Sequence, residues 1–138
     1  MNSIKKYMYN GVGYNPVLIR EGWQVAILNY LSGHGMNEID KLEVHNKTDE
    51  VFILLKGTAI LIAGKPGAEP LAYELVKMEQ GQIYNVPKGC WHNIAMDEEA
   101  GLIIVENDNT HKNDVSYLPL HEAQQRELAH RIKELITQ

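Results

Sequence analysis

Apolar runs punctuated by polar turns divide most of this chain into short strands. The clearest block is 51–63, VFILLKGTAILIA. Two runs rich in β-branched residues flank Lys56-Gly57, a pattern that predicts a tight hairpin. Along the first run Phe52 and Leu54 share one face, and Val51, Ile53 and Leu55 share the other. A strand apolar on both faces must be covered on both. One face can fill a barrel interior, while the other needs a second sheet, a helix or another subunit. The pattern therefore predicts a homodimer.

Further strands are expected over 23–31, over 39–45 ending near His45, and over 72–78, 82–86, 92–96 and 102–106. Residues 32–37 and 64–70 read as loops. Residues 1–22, rich in Gly, Asn and Tyr, read as irregular, with short edge strands at most. Near the end the period changes. Leu128, Ile132, Leu135 and Ile136 build one stripe at helical spacing, which predicts a helix over about 119–137 with Pro119 in its first turn. Such a helix packs on the outer wall of the strand assembly, and a wider reading adds it to a subunit interface. Many short strands and one terminal helix predict an all-β sandwich or barrel, with a core over about 23–106 and one domain over 1–138.

Composition narrows the function classes. The chain has 138 residues and a formal net charge of -5. It has no Lys/Arg cluster with interleaved aromatics, which argues against nucleic acid. Its apolar runs are too short to span a bilayer, and no apolar segment follows Lys5 and Lys6 as a secretory signal requires. A single cysteine, Cys90, excludes an internal disulfide framework and fits a reducing compartment, so a cytoplasmic location is expected.

Three groups carry candidate chemistry. Glu43 and His45, two apart on a strand, project side by side. Glu50 follows a polar turn and opens the strongest strand, on the face of Phe52 and Leu54. Pro87 and Gly89 form a turn that delivers His92 to the start of another strand. A carboxylate buried among apolar side chains needs a cation or a metal beside it. Two histidines and one carboxylate converging in a barrel make a facial metal site with open positions.

These segments resemble the two motifs of the cupin superfamily. Its first motif, G-x5-H-x-H-x(3,4)-E-x6-G, is matched by Glu43-x-His45-x4-Glu50-x6-Gly57. Its second, G-x5-P-x-G-x2-H-x3-N, is matched by Gly81-x5-Pro87-x-Gly89-x2-His92. The 23 residues between Gly57 and Gly81 suit the variable spacer of that family. The chain departs in having Glu43 for the first histidine, Asn37 for the leading glycine and Met96 for the closing asparagine. The resemblance implies a double-stranded β-helix, or jelly roll, and one divalent transition metal (Mn, Fe, Zn or Ni) on His45, Glu50 and His92.

Glu43 has three readings: a fourth ligand, a general base beside the metal, or a solvent-facing residue. Tyr84, alternating with Val86, reads equally as a proton donor facing the barrel and as packing. His34, in a Gly-flanked loop, reads first as a surface residue and second as one that a loop at the barrel mouth brings to substrate; His111, His121 and His130 read as surface residues, Cys90 as a turn residue, and Trp91 as part of the wall. The functions in competition are Lewis-acid isomerase, epimerase or lyase chemistry on a sugar or hydroxy/keto acid, an iron-dependent dioxygenase, and a small-molecule-binding module without turnover.

Overall fold

The computed structural model describes residues 3–67 and 71–138. It contains ten strands: β1 (Tyr14–Arg20), β2 (Trp23–Asn29), β3 (Lys41–Val44), β4 (Glu50–Lys56), β5 (Ala59–Lys65), β6 (Ala72–Lys77), β7 (Ile83–Val86), β8 (Trp91–Met96), β9 (Gly101–Glu106) and β10 (Ser116–Pro119). A short helix α1 (Thr110–Asn113) precedes β10, and α2 (Glu122–Ile136) follows it. The strands form two five-stranded sheets, ordered β1-β2-β9-β4-β7 and β10-β3-β8-β5-β6. Every pairing is antiparallel. The expected all-β, double-stranded β-helix with a C-terminal helix is therefore present.

Period-2 alternation sorts each strand between the interior and the outer wall. Ala26, Leu28, Phe52, Leu54, Leu102 and Ile104 from the first sheet meet Leu61, Ile94 and Met96 from the second, filling the space between them. A second cluster lies outside the second sheet. There Leu128 and Ile132 of α2 pack with Ile60, Ile62, Leu42 and Ala95, all fully buried or nearly so.

The expected hairpin over 51–63 is absent. Strand β4 pairs with β7 and β9, whereas β5 pairs with β6 and β8 in the opposite sheet. The turn at Gly57 is a corner between sheets. Its φ of 75° lies in the left-handed region, and a Cβ there would collide with the backbone of Glu99 and Ala100. Apolar periodicity sets which face a side chain takes but does not choose the strand's partner.

Three boundaries also differ. Within 1–22, read as irregular with short edge strands, residues 14–20 form a seven-residue edge strand on β2, and 116–119 add another edge strand beside β3. Pro119 ends β10 instead of opening the helix, whose N-cap is His121 in a reciprocal capping box with Gln124. Of the loop expected at 64–70, Gly64 and Lys65 belong to β5, and 68–70 lie outside the described residues.

Candidate metal centre

Four side chains converge where the sheets meet. Glu43 on β3 sits opposite His92 on β8, and Glu50 enters from β4 of the other sheet. His45 lies just past the end of β3. One ligand atom from each of the four falls within 4.8 Å of the others. His92 Nε2 is 2.9 Å from Glu50 Oε1, and His45 Nε2 is 3.3 Å from Glu50 Oε2. Glu43 Oε1 stands 3.7 Å from His92 Nε2 and 3.9 Å from His45 Nε2. Donor atoms bound to one ion at about 2.0–2.2 Å lie roughly 3–3.5 Å apart, so these spacings suit a shared ion. Glu50 and the histidines are buried, while the Glu43 side chain is 30% exposed.

The backbone aims the imidazoles. His45 Nδ1 donates to the carbonyl of Asp114 at 2.6 Å, and His92 Nδ1 donates to the carbonyl of Cys90 at 3.0 Å. A carbonyl only accepts, so each hydrogen is held on Nδ1 and each Nε2 faces the cluster, the arrangement a metal-bound histidine needs. His45 Nε2 has no hydrogen bond of good geometry although it is buried. An orphaned nitrogen aimed at two carboxylates fits a metal.

The supporting contacts tie the two sequence motifs together. The Asp114 carboxylate accepts the amides of Asn46 and Lys47, each at 2.9 Å. Gly89 N–H donates to the His45 carbonyl at 2.8 Å, and Lys88 N–H donates to Asp49 Oδ1 at 2.9 Å. Gly89 takes a φ of 80°, so the Pro87–Gly89 turn can press against the turn after His45.

Electrostatics match this geometry. Burial by itself would depress His45, but the Glu50 carboxylate 3.3 Å away, with the Asp114 carbonyl and Glu43, pushes it up to about 9. His92 is raised against burial by the same Glu50 and by the Cys90 carbonyl. Burial would raise Glu50, but the two histidines hold it well below the usual carboxylate range. Burial raises Glu43, helped by the charge of Glu50 and opposed by His92.

Several site residues were not singled out from the sequence. Glu106 on β9 lies beside Glu50 on the same inner face, because Val51 and Val105 are register partners. Burial and the adjoining Glu50 raise Glu106 to about 9, so it holds a proton at neutral pH. Tyr14 Oη donates to Glu106 at 3.1 Å and accepts from Gln24 Nε2 at 2.8 Å. Glu43, His45, Glu50 and His92 line a cavity of about 230 Å³, together with Glu106 and Tyr14.

Two histidines read as surface residues also reach this cavity. His34 donates from Nδ1 to the carbonyl of Ile94 at 3.0 Å, and His111 stacks against Tyr14. The structure does not bring Tyr84 here. It packs on the core lower in the barrel, and its hydroxyl accepts the amide of Glu79 at 2.8 Å. His130 is exposed and pairs with Glu134.

No protein-family model matches the chain, and no curated protein matches its sequence. Solved structures do match its fold. A nucleoside dehydratase, Pac13 from Streptomyces, aligns with a TM-score of 0.59 at 11% identity, covering 88% of this chain and 97% of that one. Oxalate decarboxylase from Bacillus subtilis aligns with a TM-score of 0.53 at 20% identity over 71% of this chain. This chain spans about a quarter of that protein's length. KdgF from Halomonas aligns with a TM-score of 0.52 at 12% identity, covering 75% and 86%. At these identities the likeness establishes a shared fold. Among the described residues, no helix is long and apolar enough to cross a membrane.

Proposed function

We propose that this chain, which has the fold of the cupin superfamily, binds one divalent transition metal (Mn, Fe, Zn or Ni) and acts as an enzyme on a small, uncharged, oxygen-rich molecule of sugar type. The observation that carries the reading is the pair of imidazoles, each with Nδ1 tied to a backbone carbonyl and Nε2 turned toward Glu50 and Glu43. His45, Glu50 and His92 would hold the ion, with Glu43 as the outermost, fourth ligand. A divalent ion there supplies Lewis acidity to a bound oxygen.

The walls narrow the substrate. Three carboxylic residues, Glu43, Glu50 and Glu106, line the cavity, and none of the described lining residues is Lys or Arg. Once the ion occupies the histidines, a carboxylate or phosphate substrate would meet no lysine or arginine to pair with. This favours a sugar-like molecule over the hydroxy or keto acids. Asn93 and Tyr117 add polar atoms to the lining, while Phe52, Ile94 and Ile104 give it an apolar side.

Proton transfer falls to His34. With Nδ1–H fixed on the Ile94 carbonyl, its Nε2 keeps a free lone pair, and the residue lines the same cavity. Isomerase, epimerase or lyase chemistry follows from a proton removed beside a polarised oxygen. We further propose that the protein works in the cytoplasm as a homodimer.

The test is turnover of neutral sugars and nucleosides against the matching acids and phosphates by metal-loaded protein. Turnover of neutral compounds supports the reading. Preference for the acids overturns the substrate class. Substrate-dependent oxygen uptake by the iron form replaces it with the dioxygenase, and binding without conversion replaces it with the binding module.

A further inference from the structure

The two sheets are covered unequally. Outside the second sheet, Ile60 and Ile62 of β5 are 0% and 1% exposed beneath α2. Outside the first sheet, Val51 and Ile53 of β4 remain partly exposed and Leu55 is 46% exposed. The chain thus covers β5 on both faces and leaves one face of β4 without a covering layer.

That uncovered face is regular. Ile27, Ile103, Ile53 and Ile83 are register partners across β2, β9, β4 and β7, so four isoleucines form one row. In the adjacent row Val25, Val105 and Val51 lie side by side, extended by Leu18 of β1. Asparagines end the rows on the edge strands: Asn15 of β1 pairs with Ile27 and Asn85 of β7 with Val51. Neither row holds a charge. Ile83, at the edge, is 71% exposed. Polar side chains normally occupy a solvated sheet face, and an uninterrupted apolar patch of this kind marks an association surface.

We infer that this face is the subunit interface, and that its occupant is the same face of a second copy. The inference rests on the homodimer proposed above and names its geometry. An uncharged β-branched surface complements itself, since two such faces related by a two-fold axis meet apolar on apolar with nothing to pair or repel. Ridged isoleucine and valine rows suit sheet-on-sheet stacking at about 10 Å. Five strands about 4.8 Å apart and four to seven residues long give a face of roughly 500 Å² in plan, somewhat over half of the roughly 800 Å² per partner in a standard interface.

The N-terminal arm supplies the remainder. Residues 3–13 lead into β1 of this same sheet and expose Ile4 (86%), Met8 (75%) and Val12 (75%). The arm's backbone is held through Asn29, whose side-chain amide donates to the carbonyls of Tyr9 and Gly11. Laid along the partner, those side chains leave water.

The test is the solution mass of the full chain by light scattering, with two variants. Ile83→Lys alters a side chain already 71% exposed and so spares the fold. Ile53→Glu with Ile103→Glu places four charges at the centre of the paired faces. The wild type should have twice the 15.7 kDa chain mass. Ile83→Lys should weaken dimerisation at least tenfold, and the double variant should be monomeric with an unchanged circular-dichroism spectrum. A monomeric wild type overturns both the homodimer and the face. A dimeric wild type whose mass and dissociation constant neither variant changes keeps the homodimer and overturns the face.

Discussion

His45 donates its Nδ1 hydrogen to the backbone carbonyl of Asp114, 69 residues away, at 2.6 Å. The same Asp114 accepts two amides of the turn that follows His45. One residue therefore fixes both the tautomer of a candidate ligand and the backbone that carries it. Removing the carboxylate by Asp114→Ala leaves two amides unpaired, and the expected cost is about 1–3 kcal/mol of stability. Metal affinity should fall roughly 10–100-fold, as for other supports of a metal ligand. Chemical denaturation and metal titration of the variant check both.

Glu43 distinguishes a ligand from a base. As the outermost ligand, Glu43→Gln should weaken metal binding while Glu50 and the histidines still hold some ion. Loss of turnover with metal affinity unchanged would assign Glu43 to proton transfer instead. Calorimetric titration beside an activity assay separates the two.

The metal-free protein should lose stability as pH rises from about 6.5 to 9. His45 is raised from 6.5 to about 9 in the fold, so its contribution is complete below 6.5 and disappears as pH climbs through 9. Glu106 acts in the same direction, being raised from 4.5 to about 9. Glu50 is lowered, so its contribution is present above 4.5 and is lost only in strong acid. Metal must displace the histidine protons, so its affinity should increase over the window in which the metal-free fold weakens. Thermal melts with and without chelator across this range test the crossing.

Glu106→Gln replaces a buried acid with a neutral group of the same shape. The variant should keep its metal and lose less stability than the wild type between pH 7 and 9. A steeper loss in the variant would contradict the protonated state assigned to Glu106.

Gly57→Ala forces a Cβ into the backbone of Glu99 and Ala100 at a φ of 75°. The corner between the sheets should then cost more than about 2 kcal/mol. Denaturant midpoints measure it.

Much of this was legible in the sequence. The spacing of Glu43, His45, Glu50 and His92 brings together residues that the structure places within 4.8 Å. Alternation separated Phe52 and Leu54, which the structure buries inside, from Val51 and Ile53, which it leaves on the outer face. What stayed hidden depends on which strand lies next to which. Glu106 meets Glu50 only because β9 pairs with β4, and Tyr14 reaches it from 92 residues away. His34 sits in a polar loop and His111 in the four-residue α1, and the polar composition around each does not decide between solvent and the cavity they border. Tyr84 does take the inner face, but its register partner is Phe52, one pair beyond Glu50, and its hydroxyl is spent on Glu79. The hairpin reading failed for the same reason: β4 and β5 are consecutive in the chain and belong to opposite sheets.

The central claim is a metal on His45, Glu50, His92 and Glu43. Elemental analysis of full-length protein, purified without chelators and then reconstituted with Mn, Fe, Zn or Ni, tests it most directly. The account predicts about one ion per chain, with binding abolished by His45→Ala together with His92→Ala in a variant that still folds. Folded wild-type protein that takes up none of these ions, or a double variant that binds as well as the wild type, would contradict it.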